Sequence, residues 1–133
     1  MKLITAFIQL IILLLIGVNP CMALNSSGNL SECLIPSNWF LVEWSFPNLK
    51  NAYKELVGIA SSLPRVSEVE SSHNYWHGIV RSLIFRFPDD LEILRIDSRK
   101  LIQVRSASRI GLSDLGVNQK RIHDLYLQLT KEI

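Results

Sequence analysis

The sequence predicts an α+β fold: a small antiparallel meander sheet of about four strands packed by two helices, after an N-terminal signal or anchor segment. Three observations predict it. Two stretches, near 47–63 and 118–133, repeat apolar residues at helical spacing. Between them lie short segments rich in branched and aromatic residues, joined by polar turns. The first 23 residues are set apart by composition. The chain therefore divides into 1–23, a signal peptide or membrane anchor, 24–46, a spacer and aromatic strap, and 47–133, a single α+β domain.

Met1-Lys2 is a short basic start, and Leu3 to Val18 is almost wholly apolar. Sixteen helical residues span about 24 Å, short of the roughly 30 Å hydrocarbon core. Asn19-Pro20 breaks any helix, and Cys21-Met22-Ala23 places small residues where a signal peptidase reads. Cleavage after Ala23 and retention as an uncleaved anchor both fit this layout. A lipoprotein fits less well, because Asn19 and Pro20 precede Cys21. The expected location is exported across or tethered to a membrane: periplasm, cell envelope or thylakoid lumen.

Leu24 to Glu32 is small and polar and reads as a flexible spacer. Leu34 to Phe46 carries Trp39, Phe40, Trp44 and Phe46, too many large aromatics for a disordered tail. It is expected to lie over the domain as an extended strap. Pro47 to Leu63 reads as the first helix, with a stripe of Leu49, Ala52, Tyr53, Leu56, Ile59, Ala60 and Leu63 closed by Pro64. Val66 to Ser71 has the weak alternation of an edge strand. Tyr75 to Phe87 reads as a strand, Pro88-Asp89-Asp90 as a turn, Leu91 to Asp97 and Leu101 to Ala107 as further strands. Gly111 to Gly116 reads as a loop, with Asn118 as N-cap of a last helix carrying Ile122, Leu125, Tyr126 and Leu129.

Formal net charge is +2, from 14 Lys and Arg against 12 Asp and Glu. That balance gives little pull towards nucleic acid. Nine of the basic residues nevertheless fall between Arg81 and Arg121. The two cysteines, Cys21 and Cys33, do not define a disulfide framework. Cleavage after Ala23 would leave Cys33 alone, buried as a small hydrophobe, free, or paired between chains.

Residues 104–122 read Val-Arg-Ser-Ala-Ser-Arg-Ile-Gly-Leu-Ser-Asp-Leu-Gly-Val-Asn-Gln-Lys-Arg-Ile. This segment resembles the signature of the domain of unknown function 1499 family, found in bacteria and plastid-bearing eukaryotes. The family pattern runs roughly R-S-x-S-R-x-G-x-S-D-x-G-x-N-x-x-R, and every fixed position is filled. Leu63-Pro64-Arg65, Arg81-Ser82 and the Phe85 to Glu92 stretch are similar as well. The resemblance covers about residues 47–132. Where members often carry a Pro-Asn-Cys-Val-Ser-Ser-like segment, this chain has Pro36-Ser37-Asn38-Trp39. The resemblance implies a fold and a site location but no reaction.

The candidate ligand-binding residues are Arg105, Ser106, Ser108, Arg109, Ser113, Asp114, Asn118 and Arg121. In a regular strand Arg105 and Ala107 face one way and Ser106 and Ser108 the other. Gly111 and Gly116 let the backbone approach a ligand, and the helix that follows offers free N–H groups to an anion. Convergence of Arg105, Arg109, Ser113 and that helix start would hold a carboxylate or phosphate bidentately. The competing reading pairs the same arginines with Asp89, Asp90, Glu92 and Asp114 to tie the loop to the sheet. Other chemistry is weakly represented. His73 and His77 have no third ligand beside them, so no metal is expected. A grouping of Ser106, His77 and Asp114 lacks a nucleophile-elbow sequence. No cofactor motif is present. The expectation is a non-enzymatic domain that binds a partner protein or small anionic ligand through the Arg/Ser/Gly loop. The contrasting class is a hydrolase-like enzyme using that loop as an anion hole. A third is an assembly subunit docking through Trp39 and Trp44. The membrane is a partner only through an uncleaved N-terminal segment.

Overall fold

The computed structural model describes Ile4 and residues 24–25, 27–33, 35–111 and 113–133. The expected signal or anchor segment, apart from Ile4, lies outside the described residues. Five strands form one antiparallel sheet: β1 (Trp39–Trp44), β2 (Val66–Ser71), β3 (Tyr75–Arg81), β4 (Pro88–Ile96) and β5 (Leu101–Ser108). Their spatial order is β1-β5-β4-β3-β2. The sheet thus gains a fifth strand over the expected four. Trp39 to Trp44, expected as a strap, instead completes the sheet edge, with Leu41 opposite Arg105 and Val42 opposite Val104. Branched and aromatic side chains on a pleated, half-covered surface suit that position.

Helices α1 (Leu49–Ser61) and α2 (Val117–Glu132) cover one face. Asn48, not Pro47, starts α1, its side chain accepting from the Asn51 N–H at 3.0 Å. The α1 stripe of Ala52, Tyr53, Leu56 and Ala60 meets Ile122, Leu125 and Leu129 of α2 over Trp76, Leu91, Ile93, Ile102 and Val104. Gly78 is required here. The Trp76 indole folds across it, so a Cβ at Gly78 would sit 2.4 Å from the ring. Trp76 Nε1 donates to Glu68 at 2.9 Å, which satisfies its one polar atom.

Two further expectations are corrected. The Pro88-Asp89-Asp90 segment opens β4, and both aspartates are buried. Distant arginines neutralise them there. The strand expected to reach Phe87 ends at Arg81, and residues 82–87 form a connecting loop whose Leu83, Ile84 and Phe85 are exposed. Ser82 closes this loop, accepting from the Phe87 N–H at 2.9 Å while its own N–H donates to the Phe87 carbonyl.

The helix-free face is covered too. Leu30 is buried against Tyr75 and Leu94, with Leu41 and Ile96 around them. Its N–H donates to Gln103 at 2.8 Å. Asn29 accepts from Arg99 at 2.8 Å. The expected flexible spacer is therefore corrected for residues 29–31: they lie on the sheet because Leu30 has an apolar socket there. Cys33 is buried and disulfide-bonded, which removes the free-thiol alternative. The sequence's other cysteine, Cys21, lies outside the described residues.

Candidate functional site

The signature residues occupy β5, the loop after it and the first turn of α2, and β5's alternation divides them. Arg105 and Arg109 project from the helix-free face, and Ser106, Ser108, Asn118 and Arg121 meet on the helix-covered one. The eight residues do not converge on one pocket.

On the helix-free face Arg105 is 1% exposed and stands opposite Glu92 in the ladder. Its Nε donates to Glu92 Oε2 at 2.9 Å, and its Nη2 pairs with the same oxygen. Tyr75 donates to Glu92 Oε1 at 2.7 Å. Arg105 also donates to the Ser31 carbonyl, which fastens the N-terminal segment. Burial, together with the charge of Glu92 and the hydrogen bond to it, pushes the Tyr75 phenol far up, so it remains a donor. One register step further, Arg109 holds Asp90 bidentately at 2.8 and 2.7 Å. His77 Nε2 lies 2.6 Å from Asp90 Oδ1. Burial alone would raise the Asp90 carboxyl, but hydrogen bonds from His77 and Arg109 and the Arg109 charge outweigh it. Asp90 falls to about 2.

On the other face Asn118 is the hub. It was expected as the N-cap. Instead Gly116 occupies that position at φ 82°, and Asn118 lies inside the first turn, fully buried. Asp114 does the capping, accepting from the N–H groups of Gly116 at 2.8 Å and Asn118 at 3.1 Å. The Asn118 amide donates to the Asn38 carbonyl, Ser108 and Asp114, at 2.9, 2.9 and 2.6 Å. Its oxygen accepts from Ser106 at 2.6 Å. Arg121 donates to Ser106 at 2.7 Å and pairs with Asp89 at 2.8 Å. Ser113 is exposed and accepts from the Leu115 N–H at 3.3 Å.

Arg121 and Asp89 also line a cleft of about 350 Å³ between the end of α1, the end of β3 and α2. Arg65, Arg81 and Lys120 join them there, with Val80, Val117 and Leu125 as apolar walls. Lys120 pairs with Asp124. Among the described residues Arg65 and Arg81 form no ion pair, only a 2.9 Å bond from Arg65 Nε to the Arg81 carbonyl and a long one from Arg81 to Ser67. The sequence reading missed both arginines as site residues. The Leu63-Pro64-Arg65 and Arg81-Ser82 stretches, similar to the family's, were the available signal.

The remaining candidates separate. His77 and Asp90 lie on the face opposite Ser106, and Asp114 caps α2, so those groups form no triad. His73 and His123 are exposed and apart. No group of three His, Cys, Asp or Glu side chains suited to a metal occurs among the described residues. Trp39 and Trp44 are both half-buried, Trp44 with its ring 5.0 Å from that of Tyr126.

The fold and this double-sided network define a small α+β domain in which charged pairs clamp the central strands of a five-stranded sheet. The chain belongs to the family described as protein of unknown function (DUF1499), whose model matches residues 20–129. The match starts well before the first helix and takes in the residues that cover the helix-free face. No curated protein matches the chain.

Proposed function

We propose that this protein is an exported, non-enzymatic domain that binds a small anionic ligand, a phosphate or carboxylate, in the cleft bordered by Arg121. One observation carries the reading. Arg105, Arg109 and Arg121 each meet a carboxylate, whereas Arg65, which also lines the cleft, meets none among the described residues. Guanidinium groups lacking a protein carboxylate are the groups that a ligand's anion can claim bidentately. Arg121 takes part as the wall that the signature loop builds, its charge already balanced by Asp89. Export rests on the N-terminal sequence and on the disulfide at Cys33, which suits an oxidising compartment.

Titration of the protein with glycerol 1-phosphate, followed by amide NMR, tests this. The expected shifts fall at Arg65, Arg81, Ser82, Val117 and Arg121. Shifts confined to the Arg109 and His77 face, or none at all, would end the reading. A hydrolase-like alternative keeps one favourable observation: a histidine ring held by a carboxylate is a general-base arrangement, and His77–Asp90 has it. Against it, Asp90 is already shared with Arg109, and the β5 serines of the signature, Ser106 and Ser108, lie on the other face. Unaltered turnover of generic ester and phosphoester substrates by His77→Gln would discard it.

A further inference from the structure

Beside the cleft the molecule carries an apolar protrusion. Leu83, Ile84 and Phe85 are 70%, 77% and 73% exposed, and Phe87, half exposed, stacks on Phe85 at 5.4 Å. The two Ser82–Phe87 hydrogen bonds hold the loop's base shut, so these side chains stand on a pinned hairpin tip. An exposed apolar cluster of this kind marks an interaction surface. The tip is convex and its outermost three side chains offer no polar atom, so a partner that recognises it needs depth and apolarity more than shape. Arg86, at φ 58°, sits within the tip, and Arg65 and Arg81 stand at its base. None of the three forms an ion pair among the described residues, and Ser82 is shared between the tip's base and the cleft lining. Apolar side chains rimmed by unneutralised arginines complement an anionic lipid surface, with the chains entering the acyl boundary and the guanidiniums meeting headgroups.

We infer that residues 82–87 insert into an anionic phospholipid bilayer and that the cleft at Arg65 takes a lipid headgroup. This rests on the anion-binding reading of that cleft and names its ligand.

The test uses the full chain, with its apolar N-terminal segment accommodated in phosphatidylcholine nanodiscs. Phe85→Cys carries an environment-sensitive fluorophore, Ser98→Cys serves as the far-end control, and the parent chain taken through labelling gives the background. Added phosphatidylglycerol vesicles are expected to blue-shift and brighten the label at position 85 and leave position 98 unchanged. Phosphatidylcholine vesicles are expected to do neither, and high salt to reverse the effect. Arg65→Ser/Arg81→Ser is expected to weaken the vesicle response at least tenfold. No response at position 85 while glycerol 1-phosphate still binds would overturn the lipid assignment and leave the anion site standing. Failure of both would remove both. A shift that depends on protein concentration without vesicles would make the tip a self-association surface and overturn the inference. An undiminished vesicle response in the double-arginine variant would remove the headgroup from the cleft.

Discussion

On its helix-covered face the sheet presents Trp76, Leu91, Ile93, Ile102 and Val104, and on the other the same strands present Tyr75, Glu92, Gln103 and Arg105. Both sets are buried, but different physics holds them. The apolar set gains from removal of hydrocarbon from water, which is non-directional and tolerates imperfect partners. The polar set is buried under residues 29–31 and survives only because each charge has a specific partner. Loss of one member leaves its neighbour charged and dry. The comparison teaches where rigidity lies: β4 and β5 are fixed on one side by packing and on the other by pairing.

Breaking one charged partner should have the largest effect. Arg105→Met strands Glu92 and releases the Ser31 carbonyl, and is expected to cost about 3–5 kcal/mol in chemical denaturation. Adding Glu92→Met should recover much of that loss, since a matched apolar pair has no charge to strand. A double variant no better than the single would mean the faces do not differ in this way. On the packed face Leu125→Ala should cost about 2–5 kcal/mol, as an ordinary cavity, with no partner substitution able to rescue it. Gly78→Ala drives a methyl into the Trp76 ring and is expected to cost about 1–3 kcal/mol, with a change in near-ultraviolet circular dichroism.

Acid should separate the faces without mutation. Asp90 has a folded pKa of about 2 against an ordinary 3.8. A lowered carboxyl contributes stability that is fully present above the unfolded value and is lost as pH falls through the folded one. Stability should therefore drop by about 2 kcal/mol between pH 4 and pH 2 from this group, and Asp90→Asn should flatten that part of the profile. Surface pairing gives the smallest effect. Lys120→Ala breaks an exposed pair with Asp124 and should change stability by no more than about 0.5 kcal/mol.

The elements governed by local pattern were legible in the sequence. The stripe through Ala52, Tyr53, Leu56 and Ala60 and the alternation in β5 both follow from periodicity, and the alternation already placed Arg105 opposite Ser106. The partners were harder to read. Asp89 and Asp90 follow a proline and carry every local mark of a turn, yet they are strand residues because arginines 32 and 19 positions away neutralise them. No window of the sequence reports a contact at that separation. Asn118 looked like a cap because caps are recognised by residue type, and Asp114, four residues earlier, took the role with better reach. The signature read as a single site because its residues are contiguous, whereas strand geometry sends contiguous residues to opposite faces.

The division of labour between arginines is the central claim, and side-by-side calorimetry measures it most directly. Glycerol 1-phosphate is titrated into Arg65→Gln, at the cleft, and Arg109→Gln, on the helix-free face. The account predicts at least about a tenfold loss of affinity for the first, the loss of one charge-assisted hydrogen bond, and parental affinity for the second. Loss in Arg109→Gln with full binding in Arg65→Gln would contradict it.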